Sequence, residues 1–86
     1  MGAVIKRIGK IMEMKFLKLT FEYSTDKAIE AARSAGAVDP LDPEVIASVI
    51  EISRYTSHVP LFYMPHRLKE LQDGGYRVVD VQPESI

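Results

Sequence analysis

In Phe16-Leu17-Lys18-Leu19-Thr20-Phe21-Glu22-Tyr23, apolar and polar side chains alternate over the seven residues from Leu17 onward. Leu17, Leu19, Phe21 and Tyr23 share one parity, and Lys18, Thr20 and Glu22 share the other. Successive side chains of a strand point to opposite faces, so this stretch reads as a strand with one buried face. Met12 and Met14 share the other parity with Phe16, which predicts a bulge near Lys15 or cover on both faces at the strand's start.

Downstream the period changes. Ser24 to Asp26 supply helix-capping chemistry, and Ala28, Ile29, Ala32 and Ala35 form a helical stripe that Gly36 ends. Asp42 as N-cap, Pro43 in the first turn and Glu44 beside it start a second helix. Its apolar positions Val45, Ile46, Val49, Ile50 and Ile52 predict the central core helix, closed by Pro60. Val59 to Pro65 reads as an extended or single-turn connection tucked over the core. Pro65 then begins a short third helix, with Leu68 and Leu71 inward and Gly74-Gly75 as its stop. Tyr76 to Gln82 is a second strand that Pro83 ends, with Tyr76 and Val78 on one face and Val79 and Val81 partly on the other. The expected fold class is α+β: a small sheet built on residues 16–23 and 76–82, with three helices packed on one face. Residues 16–86 form the single domain, and residues 1–15 are a basic N-terminal segment, either an arm or a third strand.

Two strands make a marginal sheet in water. A chain of 86 residues also has a thin core. The expected partner is therefore a second copy of the chain, joined by two-fold strand pairing or shared apolar surface.

The near-balance of 11 basic and 12 acidic side chains conceals a division. Residues 1–18 hold Lys6, Arg7, Lys10, Lys15 and Lys18 against Glu13, a local charge of +4 that leaves −5 on the rest. Three origins fit this head: a flexible basic arm, a strand pairing with the next segment of the chain, or translation upstream of the natural start, with Met12 and Met14 as alternative initiators. Val4, Ile5, Ile8, Ile11 and Met12 also fit an amphipathic basic helix, although Gly9 interrupts it. There is no apolar run of signal-peptide or transmembrane type, and Lys6 stands where a myristoylation signal needs Ser or Thr. With 0 cysteines, disulfides and thiolate chemistry are excluded, and the expected location is the cytoplasm. No asparagine is present and glutamine occurs only at Gln72 and Gln82, a depletion that also occurs in thermophilic proteins.

Constellations for catalysis are absent. No phosphate-binding glycine loop occurs, and Gly74-Gly75 serves as a helix stop. His58 and His66 lack a metal-ligand spacing, so no metal and no cofactor are expected. Asp39, Asp42 and Glu44 are accounted for by turn and cap positions. Ser57-His58 has no orienting acid, and adjacent side chains seldom face one another.

One cluster stands apart. Arg54, Tyr55, His58, Tyr63, His66, Arg67 and Lys69 fall in a stretch, residues 52–69, without an acid. His66 and Arg67 lie in the first turn of the third helix, where unpaired N–H groups suit an anion. Arg54, His58, Tyr63, His66, Arg67 and Lys69 are thus the candidate anion or nucleic-acid site, unless the arginines pair with Glu51, Glu70 or Asp73. The run from Phe62 to Tyr76, a helix with a leucine pair followed by Gly-Gly-Tyr and a strand, is similar in outline to the end of a winged-helix module. That resemblance implies a helix in the major groove contacting nucleic acid through Tyr63, His66 and Arg67, with the basic N-terminal arm alongside. It needs Val59 to Met64 to supply the middle helix. The preferred expectation is a non-enzymatic binding or regulatory module acting as a homodimer with a protein partner. The alternatives are the winged-helix-like nucleic-acid binder and an enzyme using His58 or His66 as general base.

Overall fold

The computed structural model of the protein describes residues 16–84. The proposed bulge near Lys15, and the arm, strand or helix of the basic head, lie outside the described residues. The elements run β1 (Phe16–Tyr23), α1 (Thr25–Ser34), α2 (Pro43–Ser53), β2 (Tyr55–Pro60), a 3-10 turn (Leu61–Tyr63), α3 (Met64–Asp73) and β3 (Tyr76–Glu84). This is the expected α+β class, a small antiparallel sheet with three helices.

The stretch from Phe16 to Tyr23 is the middle strand. The order is β2-β1-β3, both neighbours antiparallel to β1. Leu19, with none of its surface exposed, packs with Val59, Met64 and Leu71, and Leu17, Phe21, Tyr63 and Tyr76 border them. α3 therefore covers the odd-numbered face of β1. The opposite face is polar: the Thr20 and Thr56 hydroxyls share a hydrogen bond at 3.1 Å, and Lys18, His58, Asp80 and Gln82 are exposed.

Among the described residues the third strand comes from a stretch that the sequence reads as the end of a helix and the start of a connection. The helix expected to run toward Pro60 stops at Ser53, and residues 55–60 form β2. Ser53 is the hinge of this change. Its Oγ donates to the Ile50 carbonyl at 2.6 Å and accepts from the Tyr23 N–H at 2.9 Å, tying the helix end to the end of β1. Tyr55, Thr56 and Val59 are strand-forming types, and pairing with β1 outweighs any continuation of the helix. The connection expected over the core divides likewise: Val59 is buried within β2, whereas Leu61 and Phe62 are exposed.

α2 is less central than its apolar pattern implies. Ile50 alone is buried, and Ile52 is 85% exposed. Helix caps follow the sequence closely. Ser24 Oγ accepts from Lys27 N–H at 3.2 Å, and Asp42 Oδ1 accepts from Glu44 N–H at 3.0 Å. In α3, Met64 and Leu71 face inward, while Leu68 remains 39% exposed, contrary to its expected burial. Positions 64 and 71 are seven apart, two turns of one stripe, and Leu68 falls at its margin.

β3 continues through Pro83 rather than ending before it. An edge strand tolerates proline because its missing N–H can face away from the ladder. The register shifts between Thr20 and Phe21: Val81 lies opposite Leu19, Val78 opposite Phe21, and Val79 is the extra residue. The bulge reverses the strand's phase, so Tyr76, Val78 and Val81 all lie on the core face. Simple alternation separates Val81 from the other two.

Candidate functional site

The fold divides the acid-free stretch into separate places. Arg54 follows α2, at its C-cap, and its guanidinium turns to Glu22 on β1. Nε and Nη2 of Arg54 donate to Glu22 Oε1 at 3.0 and 2.8 Å. Arg77 on β3 donates Nε to the other oxygen at 2.9 Å, with Nη2 at 2.7 Å. Glu22 is 3% exposed, while the two arginines remain about half exposed. Burial by itself would raise the Glu22 carboxyl pKa; the hydrogen bonds and positive charges of Arg54 and Arg77 outweigh it and hold the pKa below the ordinary value. The acid that engages Arg54 is thus Glu22, 32 positions away, instead of Glu51.

His58 sits on β2, on the polar face, and its Nδ1 pairs with Glu84 at the end of β3. That contact spans β1 and joins both edge strands.

Tyr63, His66 and Arg67 come together at the start of α3. The Tyr63 and His66 rings are 5.0 Å apart at a steep angle, and the Arg67 guanidinium lies 5.5 Å from the centre of the Tyr63 ring. Glu70 unites them: it accepts the Tyr63 hydroxyl at 3.3 Å, with Arg67 Nε at 3.5 Å and His66 Nε2 at 3.7 Å. Arg67–Glu70 is a long, partly exposed ion pair contributing well under about 1 kcal/mol, and the Tyr63 and His66 contacts to Glu70 are long polar ones. Lys69 is exposed on the same helix. Phe62, 69% exposed, extends this surface, its ring edge-on to Tyr63 at 6.4 Å.

Of the six candidates, Tyr63 at the end of the 3-10 turn and His66 and Arg67 on α3 thus form one cluster, Lys69 is exposed on the same helix, and Arg54 and His58 are committed elsewhere. The region expected to provide a middle helix for the winged-helix outline contains the end of β2 and the 3-10 turn. Among the described residues no group of three acidic or histidine side chains is arranged to hold a metal ion. No helix among them is long and apolar enough to cross a membrane.

A feature not evident in sequence lies at the sheet's edge. β3 is nine residues long, is paired on one side only among the described residues, and exposes Val78, Val79 and Val81 by 37, 46 and 45%. The bulge and the strand order, both tertiary properties, create it. The only sequence signal was three valines beside a proline.

No protein-family model, no curated protein and no solved structure matches this chain.

Proposed function

We propose that the protein is a small non-enzymatic binding module that acts as a homodimer through the outer edge of β3. The observation that carries this reading is the exposed valine-rich edge. An unpaired strand presents a row of N–H and C=O groups, and natural proteins usually blunt such edges with charge, proline or brevity. β2 shows two of these devices, at six residues ending in Pro60. β3 places its proline near the far end, and among the described residues no strand covers the outer edge of its Val78–Val81 segment, in which Asp80 is the one charged residue. The exposed turn Leu61–Phe62 and the start of α3 then give a dimer two copies of one surface for a protein partner.

The nucleic-acid reading draws less support from the geometry. His66 and Arg67 both approach Glu70, and Arg54 is held by Glu22, which lowers the positive field that phosphates would meet.

Sedimentation equilibrium at micromolar concentration tests the main reading. A dimer is expected, reduced to monomer by Val78→Lys together with Val81→Lys, since charge on a strand edge opposes pairing. A wild-type monomer overturns it. Tight, steeply salt-dependent binding to a mixed-sequence DNA duplex would favour the alternative.

A further inference from the structure

We infer that the two copies join in a single register, with Val78 of one β3 opposite Val81 of the other; this rests on the dimer reading above. The phase of the ladder follows from its two prolines. Paired residues in an antiparallel ladder alternate between hydrogen-bonded and non-hydrogen-bonded positions. Pro83 lies opposite Leu17, and having no N–H it belongs at a non-hydrogen-bonded position, its nitrogen facing outward. Pro60 lies opposite Phe16 on the other edge and needs the same treatment there. The two requirements agree. Odd residues of β1 direct their backbone groups to β2, and even residues direct theirs to β3.

The outward backbone groups of β3 then belong to the residues opposite Leu17, Leu19, Phe21 and Tyr23. These are Pro83, Val81, Val78 and Tyr76. Across a new ladder, outward residues must meet outward residues. Setting Val78 opposite Val81 of the second copy matches both valines of each edge at once and gives the longest overlap; Tyr76 then falls opposite Pro83, which has no N–H, so the bonded ladder ends at that pair. A two-fold axis perpendicular to the sheet passes between residues 79 and 80.

The side chains agree with this phase. Val78 and Val81 lie on the core face, beside Phe21 and Leu19 respectively. Pairing places four valines together at the junction, continuous with the cores of both copies, in a six-stranded antiparallel sheet. Cross-strand β-branched pairs of this kind stabilise sheets. The β2 edge offers no equivalent. Its outward residues, opposite Thr20 and Lys18, are Thr56 and His58 on the polar face, and His58 is engaged by Glu84.

The native chain has 0 cysteines, so introduced ones report the register directly. Paired α-carbons in this arrangement lie about 5.5 Å apart, within disulfide reach. Identical positions in the two copies are offset by three residues, about 10 Å along the strand, beyond it. Val78→Cys and Val81→Cys are made separately, mixed in equal amounts and oxidised with glutathione disulfide. The mixture should form covalent heterodimer at least about tenfold faster than either variant alone. If the protein sediments as a dimer but either variant cross-links to itself as fast as the mixture, or neither condition cross-links, the register is wrong and the dimer stands. A monomer in sedimentation removes both.

Discussion

Arg77 lies directly opposite Glu22 across the β1–β3 ladder, and its Nε donates to Glu22 Oε2 at 2.9 Å. With Arg54 on the other oxygen, one buried carboxylate binds β1 to β3 and to the junction of α2 with β2. Removing one member of such a pair leaves a buried charge or unmatched donors, which costs more than the intact pair contributes.

The clasp should make the protein acid-sensitive in a defined way. The Glu22 pKa is depressed in the folded state, so its stabilisation is present above the unfolded value, about 4.3, and is lost as pH falls toward the folded value. Denaturant unfolding of wild type should weaken through that window. Glu22→Gln should be less stable by about 2 kcal/mol at pH 7 and should show a shallower acid decline. An unchanged acid decline in Glu22→Gln would remove the clasp as its cause.

The core is thin enough that one residue decides folding. Leu19→Ala empties a fully buried position among Val59, Met64 and Leu71 and should cost about 3 kcal/mol. Domains of this size are stable by roughly 5 kcal/mol or little more, so the melting transition should fall sharply or disappear.

Phase within α2 separates two neighbouring isoleucines. Ile50→Ala should cost about 2 kcal/mol, whereas Ile52→Lys, on an 85% exposed residue, should stay within about 0.5 kcal/mol of wild type. Thermal melts of both variants check this, and a large loss in Ile52→Lys would place that face against another surface.

Two glycines share a φ of +83° but differ in their surroundings. A Cβ on Gly36 meets nothing within 4 Å, while one on Gly75 comes within 3.0 Å of Lys27 Cδ. Both alanine variants should carry the left-handed penalty of about 1 kcal/mol. Gly75→Ala should be the worse of the two. Lys27 also lies over the Tyr23 and Tyr76 rings, at 5.4 and 5.2 Å, so its displacement disturbs a second contact. Equal melting temperatures for the two variants would contradict the crowding.

Local chemistry determined much of this protein. The alternation of residues 17–23 specified a strand with one buried face, and Ser24, Asp42, Pro43 and Gly74-Gly75 specified where helices begin or end. Each depends on backbone hydrogen bonding within a few residues, which the sequence states directly. Other features depended on pairing between distant segments. Residues 55–60 became a strand because β1 offered them a ladder and Ser53 closed the preceding helix. Val81 joined the core face because a bulge against β1 reversed the phase of β3. Arg54 found Glu22 rather than a neighbour because only the folded sheet brings them together. The candidate site followed the same division: Tyr63, His66 and Arg67, within one helical turn of each other, stayed together, while Arg54 and His58 were drawn to carboxylates on other strands. Spacing along the chain conveys the first kind of relationship, and only tertiary pairing decides the second.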